Sequence, residues 1–154
     1  MADCHWTESL KATEFMKIRD MLTKDPHVIR PDAMISEAAK MMKQHDIGML
    51  PVCDGQRLVG SITDRDLTVR AVADARDPLS TRVRDVMTPS VFWCFDDQGI
   101  EEAAQLMEEK QIRRLPIVNR DKQLVGIISL GDLALRSQNE QLAEEVLESV
   151  STPA

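Results

Sequence analysis

Gly60-Ser61-Ile62-Thr63-Asp64-Arg65-Asp66-Leu67 is written once and then again, respelled, as Gly126-Ile127-Ile128-Ser129-Leu130-Gly131-Asp132-Leu133. Each copy reads as the end of a buried strand, a hydroxyl residue where the strand turns, and an aspartate three positions on in the first turn of a helix. Two such corners in 154 residues point to one architecture used twice.

The duplication extends in both directions. Ile35-Ser36-Glu37-Ala38-Ala39 matches Ile100-Glu101-Glu102-Ala103-Ala104, an offset of 65 (100 minus 35), and Asp46-Ile47-Gly48-Met49-Leu50-Pro51-Val52 matches Gln111-Ile112-Arg113-Arg114-Leu115-Pro116-Ile117 at the same offset. Leu58-Val59-Gly60 meets Leu124-Val125-Gly126 at 66 (124 minus 58). Self-similarity at a fixed spacing marks a structural repeat, and a polar turn is where a repeat tolerates one inserted residue.

Local patterns give the elements. Residues 1–8 read as loose, and Leu10, Phe15, Ile18, Met21 and Leu22 fall at mostly helical spacing over 9–22. Asp25-Pro26 ends that helix, His27 to Arg30 is a short strand, and Pro31-Asp32 turns the chain. Ile35, Ala38, Ala39 and Met42 then form one apolar helix stripe that Ser36 or Asp32 could cap. Met49 to Cys53, the turn Asp54-Gly55, and Arg57 to Thr63 predict a hairpin, followed by a helix from Asp64 to Ala73.

The second half repeats the order: a helical turn from Val83 to Met87, a strand Val91 to Phe95, a helix Ile100 to Lys110, strands Leu115 to Asn119 and Gln123 to Ser129, and a helix from Leu130. Alternation in the aromatic strand sends Phe92 and Cys94 one way, Trp93 and Phe95 the other. A last helix, Gln138 to Val150, carries Leu142, Val146 and Val150 on a narrow stripe and is expected to dock on the domain or on a second subunit. The expected boundaries are repeat one at 23–75, a linker at 76–82, repeat two at 83–136 and an acidic tail at 137–154.

At 43% hydrophobic and 29% charged, the composition is that of an ordinary globular chain. A net charge of −7 without a basic block argues against nucleic acid as main partner. Apolar runs such as Leu124 to Leu130 fall far short of the ~20 residues that span a bilayer, and the N-terminus lacks a signal pattern, so a cytoplasmic location is expected. Cys4, Cys53 and Cys94 lack CxxC spacing, and His27 and His45 lack metal-ligand spacing, so no disulfide framework or metal site is indicated. No nucleophile and base, or pocketed carboxylate pair, argues for an enzyme.

Strand, helix, strand, strand, helix, written twice, with Leu50-Pro51-Val52 or Leu115-Pro116-Ile117 entering the second strand and the Gly60 and Gly126 motifs closing the third, resembles a tandem pair of CBS domains, or Bateman module, over about residues 15–136. Small stand-alone bacterial CBS-pair proteins are the similar ones. The resemblance implies an α/β (α+β) fold in which two β-α-β-β-α repeats pack about a pseudo-two-fold axis and leave two clefts. Such clefts bind AMP, ADP, ATP, NAD or S-adenosylmethionine, with AMP the foremost candidate, and such modules commonly pair into a homodimer.

On that footing Asp66 and Asp132 would accept hydrogen bonds from a ribose diol. Thr63 and Ser129 would take a phosphate oxygen or the ribose. Val28, Met49, Leu50 and Pro51 in one repeat, and Val91, Leu115 and Pro116 in the other, would form the adenine slots. Arg65, Arg113 and Arg114 would supply counter-charge. The copies differ: Arg65 has no basic counterpart in the second corner, and Gly48-Met49 stands where Arg113-Arg114 stands. Unequal clefts are expected, with the Thr63/Asp66 cleft favoured. Thr63-x-x-Asp66 and Ser129-x-x-Asp132 are also near relatives of the capping box, and an aspartate folded back on its own helix favours that use. The competing function is a nucleotide-independent interaction or stress-response scaffold with vestigial clefts.

Overall fold

The computed structural model describes residues 16–136 together with Glu144 and Glu148. The loose 1–8 stretch, most of the 9–22 helix and nearly all of the 138–150 helix lie outside the described residues. The fold is α+β.

The expected first helix does not continue to Leu22. Ile18–Asp20 is a single 3₁₀ turn, because the N–H groups of Ile18 and Arg19 are directed at the carbonyls of Gln98 and Asp96 (3.0 and 2.9 Å) and not back along their own turn. Thr23–Lys24 follows as β1. The predicted 27–30 strand reduces to one bridging residue, Ile29, whose N–H donates to the Pro51 carbonyl and whose carbonyl accepts from Cys53 (both 3.0 Å).

Helix α1, Ile35–His45, buries Ile35, Ala38 and Met42. Neither Ser36 nor Asp32 caps it; the Glu37 carboxylate accepts the Met34 N–H at 2.9 Å, an anion placed at the positive helix end. It stops at Asp46, in the left-handed region at φ 52°. Strands β2, Met49–Asp54, and β3, Arg57–Thr63, form the expected hairpin around Gly55 at φ 62°. Next, α2 opens as one α turn, Asp64–Asp66, and continues as a π-helix, Leu67–Val72.

After a second 3₁₀ turn, Val83–Asp85, the pattern returns as β4 (Cys94–Phe95), α3 (Ile100–Lys110), β5 (Arg114–Val118), β6 (Leu124–Ser129) and α4 (Leu130–Arg136). The expected Val91–Phe95 strand is shorter, and its sides are partly as read. Trp93 and Phe95 meet edge to face at 4.9 Å, but Phe92 is 47% exposed while Cys94 is buried.

The described residues divide into two units that do not follow the sequence repeats. Unit 1 comprises 16–25, 93–121 and 125–136; unit 2 comprises 26–92 and 122–124. Each unit is thus closed by the lead-in turn of the other repeat. Ile18, Met21 and Leu22 belong to the core with Ile100, Ala103 and Met107, and Val83 and Val86 to the core with Ile35, Ala38 and Met42. These turns are themselves a repeat: Ile18-Arg19-Asp20-Met21 and Val83-Arg84-Asp85-Val86 stand 65 apart (83 minus 18).

Sheet order is the same in both. Unit 1 carries β1-β6-β5-β4, with β1 antiparallel to β6 (Thr23 opposite Ile127) and β4 parallel to β5 (Cys94 opposite Ile117). Unit 2 has the β2-β3 hairpin flanked by single bridges, Thr88 opposite Ser61 and Ile29 opposite Val52. Those partners are the unit 1 pairs displaced by 65 or 66 residues. One expectation fails in packing: Ala39 is exposed, whereas its counterpart Ala104 is buried. In unit 1 the buried Leu130 joins the same core as Ala104; unit 2 has the exposed Asp64 at that place.

Candidate functional site

Each hairpin delivers its last residue, a hydroxyl, to the start of the following helix. In unit 2 the Thr63 Oγ1 accepts the Asp66 N–H at 3.0 Å, and the Asp66 Oδ2 accepts the Thr63 N–H at 3.0 Å. In unit 1 the Ser129 Oγ accepts the Asp132 N–H at 3.1 Å and the Asp132 Oδ2 accepts the Ser129 N–H at 2.8 Å. Both aspartates therefore fold back on their own helices as reciprocal caps, satisfying donors that a helix start leaves orphaned. Each cap uses one carboxylate oxygen.

The two corners differ in what remains. Ser129 donates its hydroxyl proton to Asp132 Oδ2 at 2.8 Å, whereas the Thr63 hydroxyl acts only as an acceptor in its cap. The second oxygen of Asp66, Oδ1, stands 3.8 Å from an Arg70 nitrogen, and its side chain is 13% exposed.

Main-chain bonds fix the corners from below. The Asp64 N–H donates to Gly48 O at 3.0 Å and the Leu130 N–H to Arg113 O at 2.9 Å, the same bond in each repeat. A β-carbon on Gly48 would meet Asp64 Oδ2 at 3.1 Å. Unit 2 thus sets a carboxylate beside the place where unit 1 carries the Arg113 side chain.

Of the other residues singled out in the sequence, Thr63, Asp66, Arg65, Met49, Leu50, Pro51, Val28 and Val91 lie in unit 2, and Ser129, Asp132, Arg113, Arg114, Leu115 and Pro116 in unit 1. Leu50 and Leu115 are fully buried in their own cores, so only their main chain can serve a ligand. Pro51 and Pro116 are buried, Met49 is half-buried opposite Thr63, and Val28 is 40% exposed. Val91 is half-buried, and Ile29 opposite Val52 and Cys94 opposite Ile117 make Trp93 the positional equivalent of Val28. Arg65, Arg113 and Arg114 are exposed and enter no ion pair among the described residues.

Electrostatics outside the corners is local. Asp97 binds Arg120 through two 2.8 Å hydrogen bonds, and Arg120 lies 4.1 Å over the Phe95 ring. Its guanidinium holds Asp97 below the ordinary carboxylate value, as Arg30 does for Asp32. Burial pushes the Cys53 and Cys94 thiols up to about 11, which keeps them protonated and unreactive near neutrality. Among the described residues no three His, Cys, Asp or Glu side chains gather as metal ligands do, and no helix is long and apolar enough to cross a membrane.

The model of the CBS domain matches residues 18–72 and 83–138, the two repeats with their lead-in turns. The chain belongs to the CBS domain family. It is 40% identical over 134 residues to the CBS domain-containing protein YhcV of Bacillus subtilis, covering 87% of this chain and 94% of that relative. Among solved structures, CBSX2 in complex with AMP is 29% identical with a TM-score of 0.69, over 80% of this chain and 98% of that one. The CBS domain pair of protein MJ0100, in complex with 5-methylthioadenosine and S-adenosyl-L-methionine, is 29% identical with a TM-score of 0.68, over 77% and 93%. Those two CBS pairs hold adenosine-containing ligands. Inosine-5'-monophosphate dehydrogenase of Methanocaldococcus jannaschii is 36% identical over 92% of this chain, but the match spans 26% of that enzyme.

Proposed function

We propose that this CBS pair is a non-catalytic regulatory module that takes an adenosine-containing ligand, AMP foremost, at the Thr63/Asp66 and Ser129/Asp132 corners. The observation that carries the reading is the geometry of Asp66. Its cap uses Oδ2, which fixes the carboxylate and leaves Oδ1 with only a long contact to Arg70. A ribose diol is the kind of donor such a pre-oriented oxygen accepts, in a charge-assisted bond. The AMP and S-adenosylmethionine held by similar CBS pairs support the same ligand class.

The corners are unequal, and unit 2 is the tighter one in this reading. Thr63 has its hydroxyl proton to give, while that of Ser129 is spent on Asp132. Regulation follows if the bound and free chains differ in how a partner receives them, since a ligand shifts an equilibrium only by its differential affinity. The partner is a second copy of this chain and a regulated protein; Val69 and Val72, 51% and 71% exposed on α2, support a homodimer contact.

One observation favours the scaffold alternative: both aspartates are already satisfied by their own helices. Titration calorimetry with AMP, ATP, NAD and S-adenosylmethionine separates the two. Asp66→Asn and Asp132→Asn are the right variants, because asparagine can keep the cap while removing the charge. Binding that these substitutions weaken supports the sensor; absence of heat from all four ligands supports the scaffold. Light scattering reports the dimer.

A further inference from the structure

The arm of residues 83–88, which leads into repeat two, is fastened to α2 by one side chain. Arg70 donates from one guanidinium nitrogen to Val86 O (3.0 Å), Met87 O (3.1 Å) and Thr88 Oγ1 (3.2 Å). Its other terminal nitrogen stands 3.8 Å from Asp66 Oδ1. Arg70 lies within the π-helix Leu67–Val72, whose wide turn is seen in the Ala73 N–H donating to Thr68 O, five residues back, at 3.0 Å. Such turns are uncommon and recur at functional places.

We propose that Arg70 is a positioning residue that links the Asp66 carboxylate to the arm, so that whatever engages Asp66 Oδ1 alters how firmly residues 86–88 are held. The physical reason is that one planar fork is held at both ends, one terminal nitrogen toward the arm and the other toward Asp66. Arginine presents its donors in fixed directions, so satisfying three acceptors on the arm and a carboxylate at once constrains the side chain from both ends. A ligand hydroxyl that occupies Oδ1 weakens the pull on that side. The arm runs on through Phe92, the last residue before unit 1 resumes at Trp93.

The parts of this linkage are written twice. Arg136 follows Asp132 by four residues as Arg70 follows Asp66, and Thr23 precedes Thr88 by 65 (88 minus 23), each just after its lead-in turn.

The proposal rests on the adenosine reading for its ligand, but its coupling is tested without one. Hydrogen exchange on the full chain, followed by NMR, uses the Thr88 amide, which donates to Ser61 O at 2.8 Å, as reporter. Arg70→Met raises Thr88 exchange about tenfold or more, since the charged donor that these three acceptors share is lost. Asp66→Asn raises it about two- to fivefold, the range of an exposed ion pair, and has no added effect on an Arg70→Met background. If Arg70→Met does not fold, Arg70→Lys keeps the charge, loses the fork and serves the same cycle. Thr88 exchange indifferent to Asp66→Asn, or effects that simply multiply in the double variant, overturn the linkage. Added AMP should shift Thr88 exchange in the parent and not in Arg70→Met. AMP that binds without moving Thr88 also overturns it. If AMP fails to bind, the ligand reading falls, while the nucleotide-free cycle still decides the coupling.

Discussion

A β-carbon placed on Gly60 would stand 2.6 Å from the carbonyl oxygen of Thr88, and one on Gly126 would stand 2.6 Å from the carbonyl oxygen of Thr23. The glycine of the duplicated motif is therefore where the exchanged lead-in arm crosses the hairpin, once in each unit. At both places a main-chain carbonyl is part of the obstacle, and it cannot rotate aside as a side chain can.

Gly60→Ala and Gly126→Ala should each destabilise the fold by about 1–3 kcal/mol, the cost of overpacking a closed site. Urea denaturation measures it. A neutral Gly60→Ala would mean that the arm does not approach β3 as described.

Thr63→Ala should cost about 0.5–2 kcal/mol by removing the acceptor for the Asp66 N–H. Asp66→Asn should cost less, because its amide oxygen can still accept from Thr63. The same denaturation curves compare the two, and an inverted order would contradict the reciprocal cap.

The repeated corners, both hairpins and both long helices were legible because hydrophobic spacing and turn residues are local signals. The arm exchange was not. Ile18-Arg19-Asp20-Met21 and Val83-Arg84-Asp85-Val86 carry the repeat offset, but helical spacing over 9–22 pulled the first of them into a longer helix. Nothing local says that Ile18 gives its N–H to Gln98. Apolar runs have no register of their own, so it takes the ladders, Ile29 opposite Val52 and Cys94 opposite Ile117, to make Trp93 the positional equivalent of Val28. A single surface arginine such as Arg70 reads in a sequence as solvated charge, and only the fold brings its acceptors Val86, Met87 and Thr88 to it.

Arg120 holds Asp97 below the ordinary carboxylate value. A carboxylate depressed in the folded state adds stability above its unfolded value, about 3.9, and loses it as pH falls through the folded value. Asp97→Asn should therefore lower Tm slightly at pH 7, with the difference shrinking on acidification below about 3.9 and in high salt. An effect that grows in acid would reverse the sign.

Cys53 and Cys94, with thiols pushed to about 11, should resist iodoacetamide in the native chain at pH 8 and react once it is unfolded in urea. Peptide mass spectrometry distinguishes them. Rapid native labelling of either would show its core to be open.

The ribose contact itself is tested by comparing AMP with 2′-deoxy-AMP on the parent chain and on Asp66→Asn, by calorimetry. If Asp66 receives the ribose hydroxyls, deleting the 2′-hydroxyl weakens binding to the parent roughly 10- to 100-fold, the worth of a charge-assisted hydrogen bond, and has far less effect on Asp66→Asn. An equal loss on both proteins, or no discrimination by either, would contradict it.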